Sequence, residues 1–385
     1  MTPLHLAVAL DGAGWHSAAW RLPEARPTEL LSAGYWTDLA QEAERGLLDL
    51  VTFEDALAPQ SDTRPGGPAG GRVQGRLDAV LLAARVAPLT HHLGLVPTAT
   101  VTHTEPFHLS KAIATLDHVS TGRAGWRPRV SATRAEADHV GRRPVAAVED
   151  LVEEAGEVVE VVRQLWDSWE DDAEIRDAAT GRFVDRDKLH HVDFEGRWFS
   201  VRGPSITPRP PQGQPVVVAL SHTAGAHRFA ARHADVVLLA PHGTDATRAV
   251  VSDLREEQHA AGREQAPLHL FGELVVHLDH DAARARDRAA HLDDLVGGPE
   301  DSDAETFVGT PADLADLLLE RQQAGLTGFR LRPAALPHDL VAVTRGLVPE
   351  LQRRGAFRTA YDAPTLRGRL GLPRPTNRYA AGAPA

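Results

Sequence analysis

The sequence predicts an α/β protein folded as a closed (β/α)8 TIM barrel with an insertion between strands 4 and 5. Three observations predict it. Eight short apolar runs alternate with amphipathic segments of helical period along the 385 residues. The repeats are spaced nearly evenly, which favours a closed barrel over an open doubly wound sheet. No linker or compositional break divides the chain, so 1–385 forms one domain.

The elements follow in order. LHLAVAL (4–10) is an apolar run suited to a strand buried on both faces. Residues 29–45 have helical spacing and end at Gly46, a C-cap residue. A second strand covers 48–53, a Gly- and Pro-rich loop 62–75, a helix 76–87 and a third strand 93–101. Pro106 opens a helix over 107–120, and a fourth strand spans 124–131. A long amphipathic helix is expected at 148–169, followed by an irregular or hairpin insertion at 177–203. Alternation resumes with strands at 215–221, 235–240, 268–278 and 328–332. Helices at 224–233, 246–262, 282–295, 311–324 (capped by Thr310) and 340–354 lie between and after them. The Pro- and Arg-rich tail, 361–385, is expected to lie across the surface.

Composition removes several function classes. The absence of cysteine excludes disulfides, thiolate metal sites and a cysteine nucleophile. A formal charge of −12 repels phosphate backbones, so nucleic acid is not an expected partner. The first residues lack a signal-peptide pattern, and no apolar run reaches the ~18 residues a membrane span needs. A soluble cytoplasmic protein is expected. No GxGxxG follows a strand, GGPAGG (66–71) opens no helix, and P-loop and GxSxG motifs are missing. Ser221 and His222 are adjacent on a strand and point to opposite faces, so they form no nucleophile–base pair between themselves. The 20 histidines show no metal-ligand spacing, and no metal is expected.

In a barrel of this kind the site lies at the C-terminal ends of the strands. Those ends are Phe53-Glu54-Asp55, 98–102, 125–131 and 221–225. With their flanks they resemble the bacterial-luciferase-like FMN-dependent monooxygenases, in the branch of nitrilotriacetate, EDTA and dibenzothiophene-sulfone monooxygenases. GWHSAAWRLPEA (14–25), AERGLLDLVTFED (43–55) and TATVTHTEPFHLSKAIATLDHVSTGRAGW (98–126) carry the resemblance. LWDSWEDDA (165–173), FSVRGP (199–204), AARHADVV (230–237) and VGTPADLADLLLE (308–320) continue it in the same order. The resemblance implies a two-component monooxygenase. A separate reductase supplies reduced FMN, which activates dioxygen to oxidise a small organic molecule, and the protein is a homo-oligomer.

It also implies roles for residues. Asp55 matches an acidic group beside the flavin, and Thr100 and Thr102 match hydroxyls facing the isoalloxazine edge. His103 replaces the family's tyrosine, and Trp15 and His16 fall on the substrate side. Alternation places Arg127, Arg129 and Ser131 on one strand face, the barrel interior, where the family's flavin-contacting asparagine corresponds to Arg127. Pro128 between them removes a ladder donor. Val148 and Val152 stand where the family carries a His and a Tyr that reach the FMN phosphate. Ser221, His222 and the following helix start match the family's phosphate turn, one residue shorter. Losing two hydrogen bonds to a phosphate weakens binding by roughly 10²–10⁴-fold. Arg127 and Arg129, with His16 and His103, are therefore the candidate catalytic residues. The arginines rebuild the phosphate site, bind an anionic substrate, or pair with Asp55 or Glu54 in the flavin's place. The competing reading is a flavin-free relative, either a cofactor-free enzyme on an anionic substrate or a silent partner subunit. A deazaflavin-dependent oxidoreductase is a further alternative.

Overall fold

The computed structural model describes residues 3–60 and 71–380. Most of the 62–75 loop, the GGPAGG run up to its last glycine and the last five residues of the tail lie outside them.

β1 (His5–Leu10) leads through short 3-10 turns to α1 (Ala33–Arg45) and β2 (Leu50–Phe53). The first helix begins four residues later than its periodicity suggests. Pro23 and Pro27 each open a 3-10 turn, and the Ser32 side chain accepts from the Tyr35 amide to start the α-helix. α2 (Ala79–Val86), β3 (Gly94–Thr100), α3 (Pro106–Val119), β4 (Gly125–Arg129) and α4 (Arg134–Val140) follow, then α5 (Val148–Asp167). The insertion consists of two small hairpins. β5 (Glu174–Asp177) pairs with β6 (Arg182–Val184), and β7 (Phe194–Glu195) with β8 (Ser200–Val201). β9 (Val216–Leu220), α6 (Ala224–His233), β10 (Val236–Leu239), α7 (Thr244–Ala260), β11 (His269–Leu278) and α8 (Ala282–Val296) restore the alternation. After them come β12 (Glu305–Gly309), α9 (Pro311–Gln323) and β13 (Gly328–Pro333). The predicted last helix is broken into α10 (His338–Ala342), a π-helical turn (Val343–Leu347) and α11 (Val348–Arg353). Pro349 lacks the amide that a continuous α-helix requires there.

Eight parallel strands close the barrel in the order β1-β2-β3-β4-β9-β10-β11-β13, with β13 returning to β1. β12, absent from the sequence expectation, is a ninth strand outside the closed ring. β10 pairs with β11 only up to Gly272, and β12 takes the overhanging stretch from Leu274 to Leu278. β4 accommodates Pro128 because its ladder with β9 ends at Trp126. Among the described residues no helix is long and apolar enough to cross a membrane.

Side chains alternate inward and outward along every barrel strand. The lower interior is apolar: Ala7, Leu50, Val96, Val218, Leu238 and Phe271 form one buried cluster. The tail corrects the expectation of a surface strap. α12 (Leu366–Arg369) and the residues after it place Leu366, Leu370 and Leu372 inside that same cluster, closing the N-terminal end of the barrel. Gly94 and Gly125 make room for it, because a Cβ on Gly94 would stand 2.7 Å from the Leu366 Cδ1.

Candidate functional site

Above the apolar layers the inward positions become charged. Arg127 on β4 donates to Glu54, at the end of β2, and to the Thr98 hydroxyl on β3. Arg330 on β13 donates to Glu54 at 2.7 Å and to Thr52 at 2.9 Å, and also pairs with Glu273 on β11. Arg332, two residues on, pairs with Glu273 at 2.5 Å and with Asp303 at 2.5 Å. Three guanidinium groups and three carboxylates thus form a continuous ladder across the barrel mouth. Arg330, Arg332 and Glu273 are almost wholly buried, so each charge depends on its partners. Burial would raise the Glu54 carboxyl, but Arg127 and Arg330 hold it below its ordinary value. Glu273 is likewise held low against burial by Arg330 and Arg332.

The ladder settles the fate of the two arginines that look anomalous in the sequence. Both face inward, as alternation predicts, yet they do not form a paired, open cation site. Arg129 turns to Glu136 on α4 at 2.5 Å. Glu136 also accepts from the hydroxyls of Ser131 and Thr133 and from the Leu57 amide, so it ties β4 to the loop after β2. The anion-binding role expected of Arg127 and Arg129 acting together is therefore replaced by internal ion pairs. Of the pairings foreseen for Arg127, the one with Glu54 forms.

The remaining candidates are dispersed around the mouth. The Trp15 ring packs under the Arg332 guanidinium, 4.6 Å from its centroid. His16 is a poor candidate for catalysis, because both ring nitrogens are occupied: Nδ1 accepts from the Ala18 amide, and Nε2 meets Asp293 on α8 at 3.3 Å. Asp55 accepts from its neighbour's amide and from Ala79, the first residue of α2, and burial raises its carboxyl above the ordinary value. Thr102 Oγ1 accepts from the Ser131 amide, which fixes β3 to the end of β4, whereas Thr100 is buried without a comparable bond. His103 lies in a 260 Å³ pocket with Arg142, Arg143 and Glu154. Its Nε2 is buried with no hydrogen-bond partner, and burial, then Arg143, depresses its basicity. Ser221 bonds through its hydroxyl to His227 Nδ1 at 2.6 Å, one helical turn away, not to His222. His222 points inward to Glu273 and Asp303, at 3.5 Å from each.

Sequence reasoning did not single out Glu273, Arg330, Arg332, Asp303 or Glu136. The signal was present for the first three. FGELVV carries one Glu in an apolar strand, and GFRLRP repeats the alternate-arginine pattern of GWRPR. His222, Glu273 and Asp303 bring ligand atoms within 4.8 Å of one another. Both carboxylates already accept from Arg332, so a cation there would have to displace a guanidinium.

The family profile described as luciferase-like monooxygenase matches residues 14–300. The chain belongs to this family. It is 31% identical to N-acetyl-S-(2-succino)cysteine monooxygenase of Bacillus subtilis, over 98% of both chains. Nitrilotriacetate monooxygenase component A of Aminobacter aminovorans is likewise 31% identical over 98% of each. The crystal structure of riboflavin lyase, with modified FMN and substrate riboflavin, superposes with a TM-score of 0.88 at 26% identity, covering 96% of each chain. The chain is thus a luciferase-like monooxygenase on a (β/α)8 barrel.

The residues present fit a flavin mononucleotide unequally at its two ends. At the ring end, Arg127 is drawn down to Glu54 and Thr98, leaving Thr100 and the half-buried Asp55 at the strand ends. At the phosphate end, Val148 and Val152 offer no donor, but Arg228 and Arg232 on α6 line the same groove. That groove also carries Arg197 and five glutamates, Glu149, Glu153, Glu157, Glu160 and Glu195.

Proposed function

We propose that the protein is the oxygenase of a two-component system, binding reduced FMN delivered by a separate flavin reductase and oxidising a small organic molecule. The reading is carried by the mouth geometry of a family member that covers 98% of its relatives' length: strand ends bearing Asp55, Thr100 and Thr102 above a rigid, charge-balanced floor. Bound reduced flavin supplies two electrons to dioxygen, so that one oxygen atom enters the substrate and the other leaves as water. The chain's own share is positioning and exclusion of water. The ladder fixes the barrel floor, because every guanidinium in it is held by more than one partner. His103, neutral near pH 7 and unpartnered in its pocket, offers one ring nitrogen to a polar group of the substrate. A cytoplasmic homo-oligomer completes the proposal.

A second reading is favoured by the ladder itself: a flavin-free relative whose mouth is closed by ion pairs. Anaerobic titration with reduced FMN separates the two. Saturable binding in the micromolar range is expected, followed by reductase-dependent oxidation within a panel that includes N-acetyl-S-(2-succino)cysteine and nitrilotriacetate. No binding at millimolar flavin would overturn the first reading in favour of the second.

A further inference from the structure

The segment before α2, residues 71–78, crosses the barrel mouth beside the end of β1. Trp20 donates its indole N–H to the Gly71 carbonyl at 2.9 Å, and Gln74 donates to the Gln60 carbonyl at 2.8 Å. Arg72 pairs with Glu300 at 3.0 Å and Arg76 with Asp11 at 3.4 Å. Val73 sits between these latches. Its methyls lie 3.7 Å from where a Cβ on Gly12 would stand, so the side chain rests on the turn after β1. Two small cavities of about 50 and 20 Å³ flank it, and both are walled by Asp11, Gly12, Gln60 and Val73. Beyond the shared walls, the larger reaches Trp15 and Trp20, the smaller Leu31 and Leu82. Val73 is the apolar member of the shared walls, and withdrawing it joins the two spaces into one cleft with tryptophan at one end and leucine at the other.

The charges around this cleft are already matched. Arg72 and Arg76 hold Glu300 and Asp11, Arg127 and Arg330 hold Glu54, and Arg332 holds Asp303. Asp55, at the end of β2, accepts from two backbone amides and has no ion pair among the described residues. An entering carboxylate would have to take a guanidinium from one of these carboxylates, and it would meet the uncompensated charge of Asp55 as well. An uncharged apolar group disturbs no pair. Like Val73, it gains by leaving water and needs no polar partner.

We propose that the substrate is an uncharged molecule whose apolar body enters this cleft in place of Val73, and that the mouth rejects polycarboxylates. The inference rests on the oxygenase reading above and names the substrate class of that same mouth.

The test uses a matched pair of fluorescent dyes, uncharged N-phenyl-1-naphthylamine and its anionic sulfonate, titrated alongside the anaerobic titration with reduced FMN. The wild-type protein should bind the uncharged dye at least roughly tenfold more tightly than the sulfonate. Leu31 is 66% exposed, so a charge there leaves the fold intact. Leu31→Asp should weaken the uncharged dye roughly tenfold, and Val73→Ala, with a smaller plug, should bind it roughly threefold more tightly. Unchanged melting temperatures check that both variants fold. Equal or tighter binding of the sulfonate, no binding of the uncharged dye, or binding that neither substitution alters would overturn the assignment while leaving flavin binding intact. Failure of reduced FMN to bind would instead remove the oxygenase reading and the substrate assignment with it, whatever the dyes do.

Discussion

Replacing Arg127 by Met leaves Glu54 with Arg330 as its remaining guanidinium, in a barrel interior that water reaches poorly. Arg127→Met and Glu54→Gln should each destabilise the fold. The double variant should lose about 1–3 kcal/mol less than their sum, because the two groups share one interaction. Denaturant unfolding of the four proteins measures that coupling; strict additivity would show the pair to be energetically idle. The ladder also predicts an acid limb. Burial opposes ionisation of Glu273, but Arg330 and Arg332 hold its carboxyl below the ordinary 4.5. Glu42 behaves similarly: burial raises it, and Arg345, Thr344 and Arg45 together lower it to about 2. A carboxyl depressed in the folded state contributes stability above its unfolded value and loses it as pH falls toward the folded one. The part of the melting temperature owed to these two carboxyls should therefore be constant above about pH 5 and be lost between about pH 4.5 and 2. Glu273→Gln should melt lower at pH 7 and show a shallower acid limb. Arg127 and Arg129 were legible as anomalies because alternation is a local property. The partner of Arg127 was narrowed to Glu54 or Asp55 without a choice between them, and nothing in the strand itself points Arg129 to Glu136 on a short helix.

At the scale of elements, helix periods and strand runs located nearly every segment, and the errors have local causes. Pro128 in β4 does not break the barrel because the ladder to β9 stops at Trp126, before the missing amide is needed. β12 escaped notice because its pattern is half-exposed: it only caps the overhang of a ten-residue β11. The loop after β1 is set by Gly14. Its φ is +131°, and a Cβ there would stand 2.3 Å from the Ala334 carbonyl oxygen. Gly14→Ala should cost about 1–3 kcal/mol by forcing the β1 and β13 ends apart beneath Trp15. Gly34→Ala, in α1 with open space around its Cβ, should be neutral or stabilising by up to about 1 kcal/mol. Thermal melts of the two variants side by side check this, and equal melting temperatures would show that the loop yields without strain.

For the whole molecule the decisive element is the tail. Leu366, Leu370 and Leu372 are buried among the inward residues of six barrel strands, and burial of three leucines contributes about 5–9 kcal/mol. That is comparable to the entire stability of an ordinary domain. A chain ending at residue 360 should be insoluble or unfolded at 25 °C, as far-UV circular dichroism and light scattering would show. Unchanged melting would return the tail to the surface. The sequence by itself determined the eightfold alternation, the closed barrel, the inward face of each strand and the family to which the chain belongs. Each of these is written in spacings of two to four residues or in short contiguous motifs. Only the tertiary structure decided that the arginines of β4 are neutralised and that the tail fills the barrel. Those outcomes join positions as far apart as Glu54 and Arg330, separated by 276 residues, and no local periodicity carries such a distance. The choice of partner there belongs to packing and desolvation in the closed barrel, where an unpaired interior charge is too costly to leave alone.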